Sequence, residues 1–307
     1  MKIVSIIGGL GNQMFQYAFA IALKQKYPKE EIKIDTQLYR FPFVKKYKGN
    51  NFYHNGFEIQ RVFPNATLQI ASLGDLVRES YFMPNYILYK AAKRVLPHRK
   101  RAFSQAYKDA YVYNCSVLTS DASYFEGYWM SPLYFDFCRD EVLKVFCFRV
   151  LDTEENQKWA SLLVTDKSVT IHIRRGDYVG AENFKNICTL SYYRNAIAES
   201  KRRIENPVFF VFSNDQEWCK ENLKDVFGNS DVHYIANNKG FESYRDMQLM
   251  TLARCNILAN SSFSWWGAYL NQRDNQIVLC PEKWVNNLEC ETLLLNNWIK
   301  ISESNEL

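Results

Sequence analysis

From residue 169 to 280 the chain repeats one pattern: a short β-branched or aromatic apolar run, a polar cluster, then apolar residues at helical spacing. The runs predict strands at 169–173, 208–212, 232–235, 256–259 and 276–280, and the spacing predicts helices from about 152, then at 191–203, 216–227, 244–254 and 262–271. Strands this short separated by helices are joined by crossovers, which build a parallel, doubly wound α/β sheet with helices on both faces. Ligands of such sheets bind beyond the C-terminal strand ends. The polar clusters fall there: His172 to Tyr178 (HIRRGDY), Ser213 to Asp215 (SND) and Asn260 to Ser262 (NSS).

The N-terminal half opens the same way. Residues 3–7 read as a strand, Gly8-Gly9-Leu10-Gly11-Asn12 as a turn, residues 13–26 as a helix ended before Pro28, and 32–35 as a second strand. From 39 to 114 the pattern is irregular and rich in Tyr, Phe and Lys, with a basic amphipathic helix expected at 86–96 and another helix at 133–148. At 307 residues the chain exceeds the size, roughly 250, at which single cores tend to split. Two domains are expected, 1–150 and 151–307.

Composition excludes several classes. With 47% apolar and 23% charged residues the chain can bury a core and is not disordered. Its eight cysteines form no C-x-x-C pair and no histidine stands at metal-ligand spacing, so buried, reduced thiols are expected and a zinc site is not. The apolar runs are too short for a signal-peptide core or a membrane span. A cytoplasmic protein is expected, docking at most on the inner membrane face through the basic segment 90–101, whose plainer reading is a solvated helix face. A net charge of +5 with no interleaving of basic and aromatic residues argues against a nucleic-acid partner.

Arg174 and Arg175 carry permanent charge on planar donor forks suited to phosphate oxygens. Neighbours on a strand point to opposite faces, so one is expected to meet the ligand and the other to brace the loop through Asp177. Ser261, Ser262, Phe263 and Ser264 open a helix just after a strand, where hydroxyls and free N–H groups can wrap a phosphate; an ordinary serine N-cap is the plainer alternative. Asn12 and Gln13 are amides that a glycine turn exposes. No two aspartates lie two residues apart, so no D-x-D motif is present to hold a divalent ion on a sugar nucleotide. Trp265 and Trp266 suit sugar stacking, but their helix is apolar enough that at least one is expected in the core.

Together GGLGNQMFQYAFA (8–20), HIRRGDY (172–178), SND (213–215) and NSSFSWWGAYL (260–270) resemble the α-1,2-fucosyltransferases of glycosyltransferase family 11. The resemblance implies a GT-B-like fold, two Rossmann-like domains facing a cleft. It also implies an inverting, metal-independent transfer of fucose from GDP-fucose to the 2-hydroxyl of a terminal galactoside. The first domain would then take the galactose-terminated acceptor and the second the donor. Arg174 would meet the β-phosphate and His172 the guanosine. Asp246 would grip guanine, Asn214 and Arg175 would line the donor site, Ser262, Phe263 and Ser264 would form the phosphate loop, and Asn12 with Gln13 would add contacts from the first domain. For the acceptor hydroxyl, Asp177, Glu182 or no strong base remain open. The rivals are a transferase of another donor or linkage and a non-catalytic anion-binding module.

Overall fold

The computed structural model describes residues 1–40, 55–80, 88, 91 and 101–303, and Asp177 by its backbone alone. The chain forms two compact units, Met1–Phe148 with Leu288–Leu294, and Arg149–Asn287 with Leu295–Leu307. A linear division at 150 assigns 288–294 to the second unit. Thr292 explains why the segment belongs to the first: its hydroxyl accepts from Tyr113 N (3.2 Å) and donates to Tyr111 O (3.1 Å), and its carbonyl accepts from the Ser131 hydroxyl (3.0 Å).

The first unit runs β1 (Lys2–Ser5), α1 (Leu10–Lys26), β2 (Ile32–Asp35), α2 (Gln37–Arg40), α3 (Ile59–Val62), β3 (Gln69–Ile70), α4 (Leu73–Glu79), β4 (Ala102–Ser104), β5 (Tyr124–Glu126) and α5 (Arg139–Val145). Among the described residues its five strands are parallel in the order β3-β2-β1-β5-β4. Phe19 of α1 stacks on Trp129 with centroids 4.5 Å apart, and both are fully buried. The helix expected over 133–148 is instead two 3-10 turns, Pro132–Tyr134 and Asp136–Cys138, followed by the shorter α5. Phe135, at φ −134°, breaks the helical run between them. The expected basic helix at 86–96 lies outside the described residues except for Leu88 and Ala91, which are helical.

The second unit runs α6 (Glu154–Leu163), β6 (Ser168–Ile173), α7 (Leu190–Arg203), β7 (Val208–Ser213), α8 (Gln216–Phe227), β8 (Val232–Ile235), α9 (Tyr244–Met250), β9 (Cys255–Ile257), α10 (Ser262–Tyr269), β10 (Ile277–Pro281) and β11 (Ile299–Ile301). All six strands are parallel, in the order β11-β10-β9-β6-β7-β8. Side chains alternate across the sheet as the period of two requires. Val169, Ile171, Ile173, Phe209 and Val211 pack with Tyr192, Ile197 and Leu223, whereas Phe210 and Phe212 pack on the other face with Leu163, Leu249 and Met250.

Side chains cap several helix starts, each contributing about 1 kcal/mol. Thr153 accepts from Asn156 N, Thr189 from Tyr192 N, Asp215 from Trp218 N and Ser261 from Phe263 N. Helix α9 stops at Met250, four residues before the sequence pattern suggests. The Asn256 amide takes the Met250 carbonyl at 2.8 Å and closes the helix end. The structure buries both Trp265 and Trp266 completely. None of the eight cysteines forms a disulfide, but only Cys219, Cys255 and Cys280 are buried; Cys115 and Cys147 are exposed. Among the described residues no helix is long and apolar enough to cross a membrane, and no group of three or more His, Cys, Asp or Glu is placed to hold a metal.

Candidate nucleotide site at the sheet switch point

From β6 the second sheet grows one way to β7 and β8, and on the other side of β6 to β9, β10 and β11, so the chain changes direction between β6 and β9. At such a point the two strand-end loops diverge and leave room for a ligand. The loops concerned begin at Arg174 and at Leu258. The two sides meet at the His172 and Phe263 rings, whose centroids are 5.6 Å apart.

His172 lies on the Phe210 face of β6 and is 7% exposed. Burial, with the nearby Arg174 charge, lowers its pKa to about 3, so the ring is neutral at pH 7. Its Nδ1 is buried with no partner among the described residues. Arg174 is partly exposed with its Nε buried, and its guanidinium lies 5.6 Å over the Tyr178 ring, which stacks on Phe184 at 4.7 Å.

Arg175 is turned to the β7 end instead. Its N–H donates to Asn214 Oδ1 (2.9 Å), its Nε to Asp215 Oδ2 (3.1 Å), and its guanidinium lies 4.0 Å over Trp218. Arg175 is thus braced by Asp215, which also caps α8. Arg175 and the exposed Asn214 tie the two loops together. Asp177 sits in the 3-10 turn Gly176–Tyr178, and its side chain lies outside what the structure describes. Glu182 is exposed on the following loop, with Lys185 Nζ at 2.7 Å.

The serine turn divides its tasks. Ser261 caps α10 and is 6% exposed, and the buried Ser264 hydroxyl donates back to Ala259 O and Ser261 O, both at 3.2 Å. Ser264 therefore holds the turn from inside, and its expected phosphate contact is corrected to a bracing role. Ser262 and Phe263 keep intermediate exposure at the N-terminus of the eight-residue α10, where backbone N–H groups favour an anion.

Asp246 lies on the same edge, near the start of α9. The residue keeps an intermediate exposure, yet its carboxyl is packed round by protein. That burial pushes its pKa up to about 7, against the pull of Asn238, whose Nδ2 donates to Oδ1 at 2.8 Å. Asn238 belongs to a cluster with Asn156 and Asn237 that the sequence reading passed over. The Asn-Asn pair just past a strand end was its only signal.

In the first unit, Asn12 sits half-exposed in the first turn of α1. Gln13 is different. It is fully buried, its Nε2 donates to Gly8 O (3.0 Å) and Gly56 O (2.8 Å), and its Oε1 accepts from Glu58 N (2.9 Å). With both donors and one acceptor engaged, Gln13 is a bolt for the 55–58 loop, which corrects its reading as a donor contact.

A family model described as glycosyl transferase family 11 matches residues 1–302. The chain is 30% identical over 307 residues to an alpha-1,2-colitosyltransferase of Escherichia coli, covering 98% of this chain and 99% of that protein. It is 29% identical to the O-antigen biosynthesis glycosyltransferase WbnK of Escherichia coli, covering 96% and 98%. Human galactoside alpha-(1,2)-fucosyltransferase 1 matches at 28% over 57% of this chain and 52% of its own length. Among solved structures, fucosyltransferase NodZ from Bradyrhizobium overlays at TM-score 0.46 and 14% identity, covering 86% and 91%. POFUT1 in complex with GDP overlays at 0.47 and 14%, covering 91% and 97%. These overlays are too loose to bear on the site. The match along nearly the whole sequence decides the matter: this chain belongs to glycosyl transferase family 11 and is a glycosyltransferase.

Proposed function

We propose that the enzyme transfers L-fucose from GDP-fucose to the 2-hydroxyl of a terminal galactoside, with inversion and without a metal ion. The observation that carries the reading is the junction of the β6 and β9 ends, where Arg174, neutral His172 and the N-terminus of α10 converge through the contact of His172 with Phe263. Arg174 and the helix N–H groups offset the negative charge that grows on the leaving diphosphate. Asp246, once ionised, accepts from guanine N1–H and the 2-amino group, a donor pair that adenine lacks. Asp177 and Glu182 remain alternative acceptors for the galactoside proton. A loose, cation-like sugar transition state would lessen the need for either. The acceptor binds the first unit.

The test is GDP release from GDP-fucose in chelator, with and without lactose, in the parent and in Arg174→Ala. Lactose-dependent release that the substitution abolishes supports donor and acceptor together. Tight, Arg174-dependent GDP binding without lactose-dependent release keeps the donor and rejects that acceptor. No GDP binding overturns the reading.

The 30% relative named as a colitosyltransferase favours a second reading, a colitosyl donor. Colitose is fucose without its 3-hydroxyl, so direct competition between the two GDP-sugars separates the readings. Docking on an anionic membrane through residues 90–101 is tested by sedimentation with anionic and neutral vesicles.

A further inference from the structure

Three elements bring asparagines together around Asp246. Asn156, 2% exposed, stands at the third position of α6, where the Thr153 cap receives its N–H. Asn237 and Asn238 follow β8, and Asp246 lies on α9. Asn156 Nδ2 donates to Asn238 Oδ1 (2.9 Å), and Asn238 Nδ2 donates to Asn156 Oδ1 (3.0 Å) and Asp246 Oδ1 (2.8 Å). Asn237 Nδ2 donates to Asn156 Oδ1 (3.0 Å) and Asn238 Oδ1 (3.3 Å).

The polarity of this network decides what it leaves over. Five of the six amide N–H donors are spent inside the cluster. Asn237 Oδ1 is buried without a partner among the described residues, and of the Asp246 carboxyl only Oδ1 is taken by Asn238. A buried polar atom left unsatisfied is uncommon and asks for an explanation.

We propose that Asn156, Asn237 and Asn238 form with Asp246 a base-reading subsite, in which Asn156 and Asn238 are positioning residues that orient the carboxylate, and Asn237 adds a second acceptor to it. Such an acceptor-only face takes a nucleobase edge carrying adjacent N–H donors, as guanine N1–H and its 2-amino group do, and refuses the adenine edge, whose N1 is an acceptor. This rests on the nucleotide reading above and deepens it.

The same network bears on protonation. Burial holds the Asp246 carboxyl up near 7, and the Asn238 hydrogen bond favours its ionised form. Of the charged and titratable groups on the neighbouring elements, Arg245 pairs with Asp152 (2.7 Å) and Glu242 (2.8 Å), His233 is in ring contact with Trp159 and Phe210, Lys158 lies 5.1 Å over the Trp159 ring, and Glu154, Glu155 and Lys239 are exposed. His172 is neutral. Because the guanine edge binds the ionised carboxyl, GDP affinity rises with pH through about 7 and levels above it. Losing the Asn238 amide moves that midpoint up by on the order of one pH unit.

The experiment is calorimetric binding of GDP, IDP (which lacks the 2-amino group) and ADP between roughly pH 6 and 8, to the parent, Asn238→Ala and Asn156→Ala. The parent prefers GDP to IDP and IDP to ADP, and both substitutions raise the pH midpoint and shrink the GDP to IDP ratio. Asn156 does not touch Asp246, so its effect on the midpoint reports positioning through Asn238. Equal weakening of GDP and IDP with an unmoved midpoint overturns the inference while leaving the nucleotide reading in place. A parent that does not prefer GDP to ADP overturns both. Should the buried Asn156→Ala fail to fold, the loop variant Asn238→Ala decides alone.

Discussion

The turns that follow β1 and β6 look alike in sequence, each with glycine, a short polar run and a parallel strand behind it, yet they are used in opposite ways. In the first unit the polar side chains fold back onto the backbone. Gln13 ties Gly8, Gly56 and Glu58, Gln16 ties Ile7 N (2.8 Å) to Gly127 O (3.1 Å), and the Tyr39 hydroxyl takes Gly8 O (2.7 Å). In the second unit the brace comes from the next strand, through Asn214 and Asp215 on Arg175, and Arg174 stays partly exposed. An amide near bare backbone groups becomes a bolt, whereas a long charged side chain braced from behind can serve a ligand.

Arg174→Ala tests the open side of that contrast and carries the largest expected effect. If the guanidinium meets charge that develops on the diphosphate, kcat/KM falls by roughly 10²–10³. The melting temperature stays close to the parent's, because the side chain is only partly buried. A large drop in melting temperature instead would make Arg174 a second bolt.

Gln13→Ala tests the closed side. It strands Glu58 N–H and the Gly56 carbonyl around a fully buried position, while Gly8 O keeps the Tyr39 hydroxyl, a loss of about 2–3 kcal/mol in urea unfolding. GDP affinity of the folded protein stays unchanged. Weakened GDP binding would return Gln13 to the donor site.

Neither outcome could be read from the turn residues alone, although much of the frame could. Strands 32–35 and 232–235 and the helix 216–227 fall where the sequence puts them, and in the helix the buried Cys219, Leu223 and Phe227 share one face. β3, β4 and β11 have two or three residues each, too few to show a period, and the return of Leu288–Leu294 to the first unit is a tertiary event carried by Thr292. In the site, placement at strand ends was legible in HIRRGDY and NSSFS. Which polar groups would be consumed was not. Ser262 and Ser264 are chemically alike, but the helical turn directs Ser264 back to Ala259 O. Asn156 and Asn238, 82 residues apart, meet only in the folded chain.

Asp246→Asn extends the contrast to stability. The folded carboxyl has its pKa raised from 3.8 to about 7, so the folded state holds the proton more tightly than the unfolded state. Stability is therefore lost as pH rises from about 4 through 7. The neutral amide removes that cost. Asp246→Asn raises stability at pH 8 by about 2 kcal/mol after allowance for partial exposure, and the gain vanishes near pH 4. GDP preference is lost in the same variant. A gain over the parent no larger at pH 8 than at pH 4 would mean that the carboxyl ionises without penalty.

The smallest effects come from one glycine in each turn. A Cβ on Gly8 would stand 2.7 Å from Asn12 Nδ2, and one on Gly176 would stand 2.5 Å from Asn214 Nδ2. Both clashes are with the ends of side chains that can rotate. Gly8 also holds φ at +82°, a left-handed conformation that alanine adopts at a cost of about 1–2 kcal/mol, and Gly176 carries no such constraint. Gly176→Ala therefore costs only the Asn214 bond to Arg175 N, about 0.5–1.5 kcal/mol. Chemical denaturation of the two variants should rank Gly8→Ala as the less stable. Gly176→Ala should show the larger rise in KM for the donor, since it loosens the brace behind Arg174. The reverse ranking in KM would place the ligand-bearing turn in the first unit.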